Sequence, residues 1–246
     1  METGGLYKEW LDQAESLGFQ PHRYGQIGTQ PLIALTREAE AGKPHIYVSA
    51  GIHGDEPAGV LALLELYKSA FFDSRAAWFL CPLLNPTGLE LGTRGNAEGR
   101  DLNRDYRHPQ TVEVQSHRAW LEAQVPFHLA LSLHEDWETT GFYLYEINTS
   151  ARNCIGPAVL ERVSAVMEIE TGTVLDQHEV TSQGYIYHPP EADAPENWPE
   201  AIFHVKRCPL LSCTFETPSV LPMEQRVHAH VTAVKAAIDL FLADFC

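Results

Sequence analysis

The feature that most constrains this chain is a series of short, nearly continuous apolar runs, at residues 46–48, 78–84, 127–133, 142–147 and 210–215, each closed by a turn or a polar group. Such runs read as buried strands, and the stretches between several of them carry apolar side chains at helical spacing. Residues 57–67 (Val60, Leu61, Leu63, Leu64, Tyr67), 112–123 and 155–167 are expected helices, as is 224–245, with Val227, Val231, Val234, Ala237, Ile238, Phe241 and Leu242 on one side. A further strand is expected at 31–36, and a surface helix at 6–17 ending at Gly18. Strands interleaved with helices define an α/β chain. At 246 residues, with no linker, charge block or internal repeat, it is expected to be one domain, 1–246.

What leaves these strands is chemically specific. The run at 46–48 feeds Ser49-Ala50-Gly51-Ile52-His53-Gly54-Asp55-Glu56-Pro57, in which an imidazole and a carboxylate three residues apart can face one point beyond the strand's carboxyl end. Open α/β sheets place their sites there. A catalytic zinc takes three protein ligands and keeps a fourth position open, and His53 and Glu56 would supply two. The run at 127–133 delivers His134, followed by Glu135 and Asp136; the run at 210–215 delivers Glu216, where burial of a carboxylate costs free energy unless it meets a cation or a catalytic purpose. His128 lies inside its strand and reads as structural; His228 and His230 are expected on the solvent side of the last helix.

Between Asn85-Pro86-Thr87-Gly88, which reads as a turn, and the helix at 112–123 lies a polar, glycine-rich loop containing Arg94, Arg100 and Arg104. Its length argues for function, and its guanidinium groups for anion handling. Pairing of these arginines with Asp101 and Asp105 is the alternative. Residues 182–200 combine Pro189, Pro190, Pro195 and Pro199 with Glu191, Asp193, Glu196 and Glu200, a composition that argues against helix or central strand and suggests a long loop or lid.

Composition excludes several classes of function. A net charge of −16 repels phosphate backbones and anionic membranes, so neither nucleic acid nor membrane is an expected partner. An anionic small substrate remains compatible, because salt screens distant carboxylates beyond about 10 Å. The five cysteines (Cys81, Cys154, Cys208, Cys213, Cys246) are odd in number and form no C-x-x-C pair, which suits reduced thiols, and with no signal-like start a cytoplasmic location is expected. Composition gives no oligomeric state.

If the strands lie side by side, seven residues surround one cleft, and each has a task in amide hydrolysis. His53, Glu56 and His134 would hold the metal, Glu216 would act as general base, Arg94 would stabilise an oxyanion, and Asn103 with Arg104 would clamp a substrate carboxylate.

These residues resemble the zinc carboxypeptidases of the M14 type. The matching motifs are His53-x-x-Glu56, Asn85-Pro86-Thr87-Gly88, Arg94-x-Asn96-x-x-Gly99-x-Asp101-Leu102-Asn103-Arg104, Ser132-Leu133-His134 and Thr214-x-Glu216, in the family's order over residues 46–218. The resemblance implies a three-layer α/β/α sandwich around a mixed, mainly parallel, eight-stranded sheet, a single Zn2+ ion on two histidines and a glutamate, and release of a C-terminal residue. The digestive members carry an arginine where this chain has Asp55, so one carboxylate contact is missing, and the chain is more similar to the compact bacterial members, some of which are murein peptide amidases. The family's mobile tyrosine would fall on Tyr185 or Tyr187, with Tyr187 the candidate substrate contact; Asp55, Glu135 and Asp136 would be groups that hydrogen-bond the ligands. The expected substrate is a peptide or an acyl-amino acid with a free carboxylate. The alternatives are a zinc-dependent deacylase of the aspartoacylase or succinylglutamate desuccinylase kind, which shares the Asp-Leu-Asn-Arg loop, and a non-catalytic binding module of the same fold.

Overall fold

The protein is described from a computed structural model covering residues 2–245. In chain order it comprises α1 (Thr3–Asp12), β1 (Gln20–Ile27), β2 (Gln30–Arg37), β3 (His45–Ala50), α2 (Pro57–Lys68), β4 (Ala77–Cys81), α3 (Pro86–Leu91), a 3-10 turn at Leu102–Arg104, α4 (Val112–Glu122), β5 (Leu129–Asp136), β6 (Tyr143–Asn148), α5 (Gly156–Val163), β7 (Val174–Leu175), β8 (His178–Glu179), β9 (Tyr185–Tyr187), α6 (Glu200–Arg207), β10 (Leu211–Pro218) and α7 (Met223–Phe245). Eight strands form one sheet in the order β1-β2-β4-β3-β5-β10-β6-β9, and β7 and β8 form a separate ribbon. The central strands β4, β3, β5 and β10 are mutually parallel, β1, β2 and β6 join antiparallel, and β9 pairs parallel with β6. The sheet is mixed, as expected.

Period-two geometry sends alternate residues of each central strand to opposite faces. Ile46, Val48, Leu129, Leu131, Leu133, Leu211, Cys213 and Phe215 pack with α1, α2, α5 and α7. Tyr47, Ala130, Ala34 and Cys81 pack with α4 and α6 on the other face. Both faces are covered, which is why these strands read as unbroken apolar runs rather than alternating ones. Each large side chain so buried contributes about 1.5–3 kcal/mol of transfer free energy.

Several elements depart from the sequence reading. The expected helix at 6–17 ends at Asp12 and continues as a turn to Gly18, whose φ of +74° closes it. β1 was not anticipated: its residues are mostly exposed or half-exposed, and it exists because the edge of β2 offers it a ladder. Asn85-Pro86-Thr87-Gly88 is a helix start rather than a plain turn, with Asn85 as N-cap accepting from the Gly88 N–H (2.9 Å) and Pro86 in the first helical turn. The proline-rich stretch is not all loop, for it begins in β9 and ends in α6, whose N-cap is Pro199. Proline is tolerated there because a first-turn N–H has no helical partner to lose. His230 is fully buried, its Nε2 3.1 Å from Thr217 Oγ1, while His228 is exposed. α7 is covered on more of its circumference than its main apolar stripe suggests. His128 accepts the His45 backbone N–H on Nδ1 and is structural, as read. Cys81, Cys154, Cys208 and Cys213 are free thiols, and Cys246 lies outside the described residues. Among the described residues no helix is long and apolar enough to cross a membrane.

The connection from β3 to α2 is held by close backbone approach. Gly51 turns the chain with a φ of +66°, and a Cβ built on Gly54 would lie 1.9 Å from the Gly88 carbonyl carbon. Only glycine fits where β3's exit crosses the start of α3. Gly54→Ala is expected to destabilise the protein by about 1–3 kcal/mol or more, lowering Tm by roughly 2–4 °C per kcal/mol for a chain of this size. A thermal melt unchanged by the substitution would contradict this packing.

Candidate metal centre

Parallel pairing carries three functional groups to one edge of the sheet. Ala50, the last residue of β3, is in register with Leu133 of β5, so the chain past β3 and His134 leave the sheet together. Glu216 of β10 is in register with His134. The turn closed by Gly51 and Gly54 then brings His53 and Glu56 back over the same edge, ahead of Pro57 at the start of α2.

Glu56 sits between the two imidazoles. Its Oε1 is 2.6 Å from His53 Nδ1 and its Oε2 is 3.0 Å from His134 Nδ1, with the ring centroids 5.0 Å apart. All three side chains are buried, and their ligating atoms lie within 4.8 Å of one another. Two imidazole nitrogens and a carboxylate converging in a buried place are a suitable donor set for a borderline divalent ion such as zinc. The surrounding groups fit the same use. Asp101 Oδ1 stands 3.2 Å from the far nitrogen of His53, the carboxylate partner that orients a ligating histidine. The Glu135 backbone N–H donates to Glu56 Oε2 (3.1 Å), while its side chain accepts from the Ala58 N–H (2.7 Å) at the start of α2 and pairs with Arg226. Of the three acids expected to support the ligands, Glu135 does so through its backbone, Asp136 instead accepts from the Tyr143 hydroxyl (2.8 Å), and Asp55 is exposed.

Electrostatics record the convergence. Burial disfavours a charged His53, but Glu56 and Asp101 outweigh it and push its pKa up to about 9. Glu56 is itself held well below the usual carboxylate range: burial opposes its charge, and the two imidazoles overcome that opposition. Glu216 shows the opposite result. Loss of water raises its pKa well above 4.5, and the neighbouring carboxylates Glu56, Asp136 and Asp176 raise it further, with Arg94 the opposing influence.

A cavity of about 630 Å³ opens over this cluster and is lined by His53, Glu56, Arg94, Asn103, Arg104, His134 and Glu216, the seven residues singled out in the sequence. Arg94 is ion-paired with Asp101 (Nε to Oδ2, 3.0 Å), and its Nη1 is 3.6 Å from Glu56 Oε1. Asn103 Oδ1 accepts the Glu200 backbone N–H (2.9 Å), so the donors it has for a ligand are those on Nδ2. Arg104 is exposed and donates to the Asn103 carbonyl (2.9 Å) rather than pairing with Asp105. Tyr185 and Tyr187 do not line the cavity. The Tyr185 hydroxyl donates to buried Glu146 (3.1 Å), and Tyr187, at 47% exposure, reaches the Asn148 carbonyl (3.4 Å).

Other residues were not found in the sequence. Tyr143 and Tyr145 line the cavity because they oppose Glu216 and Thr214 across the β6–β10 ladder, a period-two signal visible only once the pairing is known. Glu200 is 1% exposed beneath the site, accepting from the hydroxyls of Tyr47 (2.6 Å), Ser49 (2.8 Å) and Ser132 (3.1 Å), with His204 Nε2 at 3.7 Å. Burial works against its charge, but His204, His117 and Tyr47 hold its pKa down to about 2. It ties α6 to β3 and β5 and positions Asn103 through its backbone. No local pattern marks it in a proline-rich stretch.

Comparison with known proteins is consistent with this geometry. Residues 42–147 match the family model of the succinylglutamate desuccinylase/aspartoacylase catalytic domain. None of the curated protein sequences matches the chain. Among solved structures, the "putative metallopeptidase" of Shewanella amazonensis SB2B is 26% identical, with 97% of this chain and 93% of that one superposed at a TM-score of 0.85. That of Shewanella baltica OS155 is 24% identical, covering 98% and 92% at 0.84. A metallo-carboxypeptidase from Burkholderia cenocepacia is 18% identical, covering 96% of this chain and 69% of that one at 0.70. The chain therefore has the zinc-carboxypeptidase type of fold.

The raised pKa of Glu216 has a measurable consequence for the metal-free protein. Below the unfolded-state value of 4.5 the group is neutral in both states. As pH rises through that value, the unfolded chain ionises first, and the folded state loses stability relative to it. Glu216→Gln in chelator-treated protein should therefore melt close to wild type at pH 4 and increasingly above it toward pH 7. A Tm difference that does not change with pH would contradict the unfavourable burial of this carboxylate.

Proposed function

We propose that the protein is a zinc-dependent metallocarboxypeptidase that hydrolyses the C-terminal amide bond of peptides carrying a free carboxylate. The observation that carries this reading is that a buried His-Glu-His cluster, the acid Glu216 and a set of guanidinium and amide donors line one cavity. His53, Glu56 and His134 would hold a divalent ion, which would supply Lewis acidity for polarising a carbonyl and acidifying water. Glu216, directly across the ladder from His134, takes a proton from the attacking water and delivers it to the leaving amine. Cationic charge near Glu216 opposes the influences that keep it protonated, which brings it toward the ionised form a base requires. Arg94, held in place by Asp101, offers guanidinium donors where negative charge develops on the scissile oxygen. Asn103 and Arg104 bind the substrate carboxylate, and the rigid anchoring of Asn103 to α6 fixes the distance between that carboxylate and the bond to be cut.

The family-model match favours a second reading, an N-acyl amino acid deacylase acting through the same groups. Charge in the cavity supports the peptidase. Its walls include Asp136, Glu138 and Asp176 as well as Glu216, which repel the extra carboxylate of a dicarboxylic acyl group but not an uncharged or basic peptide. The natural ion and the side-chain preference are part of the same experiment.

Glu216→Gln should retain bound metal and lose about 10²–10⁴-fold in kcat; substantial remaining turnover would remove Glu216 from the mechanism. Arg94→Ala should cost about 10²–10³-fold in kcat. Assayed side by side, short uncharged or basic peptides should be cleaved and N-succinyl amino acids should not, with γ-linked cell-wall peptides and N-acetyl amino acids in the same panel. Turnover of the acyl amino acids alone would establish the deacylase.

A further inference from the structure

A second group of potential ligands stands on the outer wall of the same cavity, separate from the His53–Glu56–His134 cluster. His178 begins β8, in the ribbon whose turn at Asp176 and Gln177 has φ values of +42° and +68°; His188 follows β9; Asp193 lies in the proline-rich stretch. The three come from segments that share no sheet ladder. Their side chains nonetheless meet: Asp193 Oδ2 is 3.0 Å from His178 Nε2 and 3.3 Å from His188 Nε2, and the ring centroids are 4.9 Å apart.

The remaining ring nitrogens are already engaged. His188 Nδ1 is 2.6 Å from the Pro189 carbonyl, which can only accept, so Nδ1 carries the hydrogen and Nε2 of the neutral ring presents a lone pair. His178 Nδ1 is 3.5 Å from the Tyr145 hydroxyl, whose own hydrogen is directed to Asp176 Oδ2 (3.2 Å), which leaves Nε2 as the ring nitrogen that faces Asp193. Both Nε2 atoms and a carboxylate oxygen then face one another, a convergence that a ring proton or a metal ion satisfies. Spacing agrees with a metal ion, since two ligands at about 2.0–2.1 Å from a tetrahedral ion stand roughly 3.3 Å apart.

We propose that His178, His188 and Asp193 bind a second divalent metal ion of the zinc class, with two imidazoles and one carboxylate as ligands and solvent completing the shell. A ligating histidine whose other nitrogen donates to a carbonyl or a hydroxyl has the orientation such sites use. The ion ties the β7–β8 ribbon to the proline-rich stretch, and it orders the wall formed by Tyr145, Asp176 and Asp193. Bound there, it also offsets the acidic charge of Asp176 and Asp193 in the cavity wall. The proposal does not depend on the reaction assigned above.

The test uses full-length protein stripped with a chelator, dialysed against Zn2+ and measured by elemental analysis. Wild type should hold two equivalents, and His178→Gln and Asp193→Asn one each; Asp193 is exposed, so its conservative replacement does not put folding at stake. One equivalent in wild type that survives Asp193→Asn overturns this second site and leaves the first intact. One equivalent that is lost in Asp193→Asn overturns the first and supports the second. As an independent readout, Zn2+ should slow proteolytic cleavage within residues 188–199 at least tenfold in wild type and have little effect in Asp193→Asn. Equal protection in both proteins would contradict the proposal.

Discussion

A single carboxylate, Glu56, bridging two imidazoles is the interaction on which the rest of the site depends. Buried alone, such a group would sit at a cost of several kcal/mol. It is stable here because His53 and His134 face its two oxygens and the Glu135 backbone N–H reaches it as well. The fold supplies each of these from a different source. β3 and its glycine turn provide His53 and Glu56, β5 provides His134 and the Glu135 amide, and parallel pairing makes the strand ends coincide. The Arg226–Glu135–Ala58 contacts then fix α2 and α7 to the same point. Glu216 has no comparable compensation, and its position beside three carboxylates costs stability in the metal-free protein. A strained acid beside a satisfied one is a familiar division of labour between base and ligand.

Much of this was legible in the sequence because the information lies in strand ends. Apolar runs at 46–48, 127–133 and 210–215 mark strands covered on both faces, and the polar residue that follows each run falls at the sheet's carboxyl edge wherever the strands are parallel. His53, Glu56, His134 and Glu216 were readable for that reason. The polar, glycine-rich loop added Arg94, Asn103 and Arg104 because its composition had no use in a core. What was not legible depends on partners far away in the chain. Asp101 backs His53 across 48 positions, and Glu200 meets Ser49 across 151. β1 has no hydrophobic alternation of its own, and α6 starts behind a proline that local rules count against a helix. Tyr185 and Tyr187 were sought as site residues because they precede Glu216 in the chain, whereas β6 runs antiparallel beside β10 and gives the cavity Tyr143 and Tyr145 instead.

The cavity is lined by charges of both signs. Its lining includes Arg94, Arg104 and the amide of Asn103, together with Asp136, Glu138, Asp176 and Asp193, and His178 and His188. For a protein whose net charge is −16, cations gathered in one cavity create a local field that distant surface carboxylates, screened by salt, do not cancel.

The most direct test of the central claim is anomalous X-ray scattering at the zinc edge from crystals of the zinc-loaded protein. The account predicts a peak at about 2.0–2.1 Å from His53 Nδ1, His134 Nδ1 and a carboxylate oxygen of Glu56. Density with no peak at that point, or a His134 ring turned away from Glu56 in the loaded protein, would contradict it.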